Sequence, residues 1–325
     1  MQDKTRQQIH TESMMVSVGA GPQLHMRRFC NDRFTPGTPV LMIHGLVEDG
    51  HIFYSNTGSG LAWYLAAAGF DVYVADLRSR GKSWPGLNAK STDSLHEAIN
   101  ADMPALQTAI VRRRGPIPQI WMSHAWGGVL SSSYFAKHGN EIAPIQAMVY
   151  FGTRRYAKCD GWRKKLALKG FWRGGLLLAA KFQGYVPAKQ MRLGTANEAR
   201  PYFSQSMQWT LQPEWVDPED DHDYALSAKT RMFPASLYFA SECDRVYGCP
   251  DDVREFIASL GAHDGRLIVL SKRGGNTKDY GHVDMLSDRC AEEDHFPVLL
   301  EWLNTLPELK KSFSDEPVCV ASADV

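Results

Sequence analysis

The chain has 325 residues, enough for one large α/β domain or two ordinary ones. Hydrophobic residues make up 44% and charged residues 22%, and 36 Lys and Arg balance 36 Asp and Glu. That neutrality excludes the basic character of a nucleic-acid binder, and the longest apolar run, GGLLLAA at 174–180, is too short to span a bilayer as a helix.

The first 18 residues contain no apolar stretch of signal-peptide type, so a cytoplasmic protein is expected. MMVSV and LHMRRF then read as an opening hairpin. PVLMIHG at 39–45 and DVYVADL at 71–77 are near-continuous apolar runs, the pattern of parallel strands buried on both faces. Between them GLAWYLAAAGF has helical spacing and stops at Gly69. QIWMSH at 119–124 and QAMVYFG at 146–152 are two more such strands, with helices before and after the first.

The alternation then stops, and residues 154–230 hold no clean strand. Residues 154–200 carry twelve Lys and Arg against two acids, whereas 201–225 carry six acids and no Lys or Arg. This shift marks an insertion, expected to be a helical cap whose Arg and Lys pair in part with the acidic stretch. Strand and helix patterns resume at SLYFAS (236–241), DDVREFIASLG, RLIVLS (266–271) and HFPVLLEWLNTL. Repeated strand–helix units predict an α/β fold, a doubly wound and mostly parallel sheet. Its core spans 1–153 and 231–325, and its cap spans 154–230. The tail FSDEPVCVASADV reads as frayed.

Six scattered cysteines (Cys30, Cys159, Cys243, Cys249, Cys290 and Cys319) form no CxxC pair, and no His/Cys cluster has zinc spacing. They read as reduced thiols, with no metal and no cofactor implied. KRGGNTKDYGH at 272–282 lacks phosphate-loop spacing and reads as a flexible loop that delivers His282.

Three segments fall at the C-terminal ends of predicted strands, where open α/β sheets bind ligands. One is Ser123-His124-Ala125-Trp126-Gly127-Gly128, a strand-to-helix turn with small residues around its centre. Another is His44-Gly45-Leu46, and the third pairs Asp244 in SECDRVYG with His282 in DYGHVDML. Glu242 is a rival to Asp244, which lies further past its strand. His295 is a rival to His282, but it opens a helix and is expected to cap it.

MIHGL, DLRSRGKS at 76–83, SHAWGGV, SECDRV and YGHVDML, in that order, resemble the α/β-hydrolase fold serine hydrolases over most of the chain. DLRSRGKS departs by placing Ser79 where a glycine is usual. The larger departure is Ala125, which stands where the family has its nucleophilic serine. The resemblance implies that Asp244 orients His282 as general base, and that the Leu46 and Trp126 N–H groups form an oxyanion hole. His44, Gly45, His124 and Trp172 are assigned to substrate binding.

The implied activity is hydrolysis of a carboxylic ester or acyl thioester with an apolar acyl group, the present chain being an inactive Ser→Ala variant. The implied partners are a small-molecule ester or acyl substrate, with an acyl carrier protein, a coenzyme A thioester or a lipid surface meeting the basic cap. An alternative is a non-catalytic protein that binds a small apolar ligand in the same pocket. A further alternative is catalysis without the serine, by water activated at His282.

Overall fold

Continuous apolar strands need cover on both faces, and here both faces have it. The fold is a doubly wound α/β sheet of eight strands in the order β1-β2-β4-β3-β5-β6-β9-β10. The strands are β1 (His10–Ser17), β2 (Gln23–Cys30), β3 (Pro39–Ile43), β4 (Asp71–Ala75), β5 (Gln119–His124), β6 (Ile145–Phe151), β9 (Ala235–Ser241) and β10 (Gly265–Leu270). β1, β2 and β4 pair antiparallel and the other neighbours pair parallel. The computed structural model describes residues 9–158, 164 and 166–307. The first eight residues, Cys159, Trp162, Arg163, Lys165, Cys319 and the C-terminal tail lie outside the described residues.

Alternate side chains of each central strand enter different cores. Leu41, Ile43, Tyr73 and Trp121 pack into one, with α2 (Met103–Arg114) and α3 (Trp126–His138). Val40, Met42, Val72 and Met122 pack into the other, with α1 (Leu61–Ala67) and the C-terminal helix Phe296–Thr305. Every residue of β3, β4 and β5 is buried as a result. Among the described residues, no helix is long and apolar enough to cross a membrane.

Between β6 and β9 the chain is mainly helical, at 166–183, Arg200–Leu211 and Tyr224–Thr230. A two-stranded ladder, β7 (Tyr185–Val186) with β8 (Glu198–Ala199), interrupts it. Strands of two residues are too short to show period-2 alternation, so the sequence reading missed them. A third apolar cluster joins Trp172, Leu176, Phe203 and Met207 of this segment to Val47 beside β3.

Among the described residues, the ion pairs given for this segment's charges lead elsewhere than from its cations to the 201–225 acids. Lys158 meets Glu255 and Lys164 meets Asp252, while Asp220 meets Lys137 and Asp217 meets His96. These pairs fasten the segment to the helices around the sheet, while Arg155 ties it to itself through the Trp209, Gln212, Pro213 and Glu214 carbonyls. The expected looseness of 272–282 also needs correcting. Asn276, Thr277 and Tyr280 all bond Asp294, and the buried Tyr280 carbonyl accepts the Ser241 hydroxyl.

Candidate active site

β3 is the first strand of the parallel set, and the order runs outward from it in both directions. Its carboxyl end is the topological switch point. Three turns meet there. Beyond β5 the chain turns at Ala125, whose backbone is held at φ 46°, ψ −117°. A non-glycine residue in the left-handed half of the map is strained by about 1–3 kcal/mol. The strain is held by the Ala125 N–H to the Phe151 carbonyl at 2.8 Å and by α3, which begins at the next residue. The helix can start so close only because residue 127 has no side chain. A Cβ on Gly127 would lie 2.4 Å from the Ile43 oxygen and 2.5 Å from the His44 oxygen. Gly127→Ala is therefore expected to lose about 1–3 kcal/mol or more of stability in urea denaturation. Gly86→Ala, where a Cβ meets nothing within 4 Å, should shift stability by under about 0.5 kcal/mol.

On the far side of the turn, Asp244 follows β9. Its Oδ2 lies 2.6 Å from Nδ1 of His282, and its Oδ1 accepts the N–H groups of Tyr247 (2.8 Å) and Val246 (3.3 Å). Burial alone would raise the Asp244 carboxyl, but His282 and these donors hold it below the ordinary range. Glu242 is exposed, and among the described residues the histidine's carboxylate partner is Asp244. His295 stands at a helix N-cap but makes no capping bond. Its Nε2 lies 2.7 Å from the Met285 oxygen, so the side chain braces the segment just past His282.

Between these turns opens a cavity of about 160 Å³. Leu46, Ala125, Trp126 and His282 line its sheet side, and Leu168, Trp172, Leu193 and Met207 of the segment between β6 and β9 line the other. Among the described residues, no acceptor takes the backbone N–H of Leu46 or Trp126. Ala125, Leu46, Trp126, Trp172, Asp244 and His282 are thus brought to one place.

His44, Gly45 and His124, assigned to substrate, are not among the residues that line this cavity. His44 is fully buried. Its Nε2 accepts the Leu77 N–H at 3.0 Å, so Nδ1 carries the proton and donates to the Gly45 oxygen at 2.9 Å. Burial first, then Arg80, push it toward the neutral form. Gly45 donates its N–H to Glu48.

His124 is also fully buried, and both ring nitrogens face acceptors: Glu48 Oε2 at 2.8 Å and the His282 carbonyl at 3.1 Å. Two acceptors mean an imidazolium. Burial opposes the charge on His124, yet Glu48 raises its pKa, and Glu48 is in turn held below its ordinary value by His124 and His282 despite burial. A chain of bonds therefore runs from the Gly45 N–H through Glu48 and His124 to the His282 carbonyl.

Glu48, Arg154 and Tyr247 also line the cavity, and the sequence reading missed them. The available signal for Glu48 was His124 itself, a polar ring on a wholly buried strand that demands a partner.

The ion pair makes a signed pH prediction. The His124 contribution is full below its ordinary 6.5 and is lost as pH rises through its raised folded value. The Glu48 contribution is full above 4.5 and is lost as pH falls through its lowered folded value. Parent and Glu48→Gln melting temperatures should differ most between pH 4.5 and 6.5. A gap that widens as pH rises above that window would contradict the charged pair.

A family model described as alpha/beta hydrolase fold matches residues 38–216, and the chain belongs to the α/β-hydrolase fold family. An esterase of Pyrococcus furiosus is similar in structure, at a TM-score of 0.58 and 13% identity, over 92% of this chain and 91% of that one. An enol-lactonase from Burkholderia xenovorans gives 0.56 and 14%, over 90% of this chain and 100% of that one. A bromoperoxidase from Bacillus anthracis gives 0.57 and 12%, also over 90% and 100%. At such identities the likeness shows the fold. No curated protein matches the sequence.

Proposed function

We propose that this site binds a carboxylic ester or acyl thioester with a small apolar acyl group, and that it lacks only the serine hydroxyl needed to cleave it. The observation that carries the reading is the strained Ala125 between two unengaged N–H groups and the His282–Asp244 pair. With a serine there, His282 would take its proton as the oxygen attacks the carbonyl carbon. The Leu46 and Trp126 N–H groups would receive the oxyanion. Asp244 would hold the imidazole in the right tautomer and balance its charge. His282 would then give the proton to the leaving oxygen or sulfur.

The cavity limits the acyl group. A dry cavity of roughly 150 Å³ accommodates benzene, so a single ring or a short chain fits between Trp172, Leu168 and Met207. As it stands, Ala125 cannot form an acyl-enzyme, and the chain holds its substrate intact. Native mass spectrometry with short-chain p-nitrophenyl esters and acyl thioesters tests this. Adducts at the mass of the uncleaved compound support the reading, and no adduct across the panel rejects it.

For a larger partner, an acyl carrier protein, a coenzyme A thioester and a lipid surface are the classes that suit the inserted segment. Its helix exposes Leu178 and Phe182 beside Lys181.

A further inference from the structure

A second cavity, of about 530 Å³, adjoins the first and shares Glu48, Leu193 and Val283 with it. Its chemistry is different. Lys189 and Arg192 line it with the hydroxyl residues Thr195 and Ser287. Among the described residues, no hydrogen bond or ion pair engages either cationic head.

Acids near the cavity in sequence have partners of their own, although Asp284 and Asp288 share a single lysine. Glu48 is bonded to His124, Asp49 to His51, and Asp284 and Asp288 to Lys278. An anion entering here therefore meets two cations with no carboxylate of their own.

The loop that carries them is built into the oxyanion turn. The Ala196 N–H donates to the Val47 oxygen at 3.0 Å, and a Cβ on Gly194 would lie 2.1 Å from that same oxygen. Glu198, at the end of the loop, accepts from Val47 N–H and from Arg80. Within the loop, Lys189 N–H bonds the Asn197 side chain at 3.0 Å, and Arg192 N–H bonds the Lys189 oxygen at 3.1 Å. Arg192 holds φ 58°, a position that favours glycine. The backbone that carries the two cations is thus tied to the turn at Leu46, while both residues stand exposed.

We infer that the second cavity is an anion subsite, and that the substrate carries a carboxylate or phosphate on the part beyond its reacting carbonyl. This rests on the ester or thioester reading of the first cavity. The acyl group lies against Trp172, and the leaving arm passes Leu193 and Val283 to reach Lys189 and Arg192.

Three thioesters with one acyl group separate the possibilities: S-butanoyl-3-mercaptopropionate, its methyl ester, and S-butanoyl-phosphopantetheine. Calorimetric Kd values on the chain as it stands should favour an anionic arm over the methyl ester by roughly tenfold or more. The preference should shrink with added salt. Lys189→Glu/Arg192→Glu should abolish it and leave the methyl ester affinity unchanged. Comparing the two anionic arms tells carboxylate from phosphate.

Equal affinity for charged and neutral arms overturns the subsite and leaves the ester reading standing. An ester-free arm covers the converse. The Arg192 side-chain N–H resonance, assigned by its loss in Arg192→Gln, should shift saturably with succinate or inorganic phosphate. A saturable shift with no thioester binding supports the subsite and defeats the ester reading. An unmoved resonance defeats the subsite.

Discussion

Ala125→Ser is expected to raise kcat toward short p-nitrophenyl esters or acyl thioesters by several orders of magnitude. Loss of the nucleophile in a serine hydrolase costs on the order of 10⁶ in kcat, or about 8 kcal/mol of barrier. Little else needs to change. The backbone at 125 already holds φ 46° with its N–H on Phe151, so the serine enters a turn that alanine occupies without a side-chain reason. His282 and Asp244 stand 2.6 Å apart. The control is Ala125→Ser with His282→Ala. Residues that act as a unit are non-additive, so this chain should fall back near the parent rate. A folded Ala125→Ser chain inert across the whole panel would reject the hydrolytic reading. Parent turnover that His282→Ala abolishes would instead favour water activated without a serine.

Removing Glu198 alone is expected to be the most damaging single change away from the cavity. The Arg80–Glu198 pair is buried, with side chains 2% and 1% exposed. Arg80 also lies over the Tyr202 ring at 4.3 Å. Burial opposes the Arg80 charge, but Glu198 holds it firmly ionised. Glu198→Ala strands that cation in a dry site and frees the Val47 N–H. Breaking a buried pair in this way costs about 3–5 kcal/mol. The double variant Arg80→Met/Glu198→Leu replaces both charges with apolar groups of similar size and should be far milder, by the same argument. Urea midpoints for the three chains decide it. If single and double variants are equally damaged, the loss is one of packing rather than of an orphaned charge.

The sheet was legible because burial on both faces writes itself as unbroken apolar runs. Seven of the eight strands of the large sheet begin and end within about two residues of their runs, while β1 starts at His10, four residues before MMVSV. The turn at Ala125 was legible from small residues at 123 and 127, since the crowding that Gly127 relieves leaves a compositional trace. Ser79 was recognised as out of place, and its φ of 60° gives the reason: the turn asks for glycine's conformation. Glu48 left no such trace. In HGLVED it looks like any loop acid, and only the fold folds it back onto His124. The same holds for Lys189 and Arg192. They are two of twelve cations in one stretch, and charge density cannot tell which of them lacks a counter-ion. Side-chain partners drawn from distant parts of the chain are three-dimensional facts, and local patterns do not encode them.

The tie between Val47 and Glu198 also has a bearing on the order of folding. It closes a loop of 151 residues, and the Arg80 contact closes one of 118. Contacts of that span form after local ones, because closure entropy must be met before they reward the chain. During synthesis, β3 and its turn leave the ribosome well before residue 198 exists. The turn around Leu46 is therefore expected to take its final shape late, once the segment carrying Glu198 has docked.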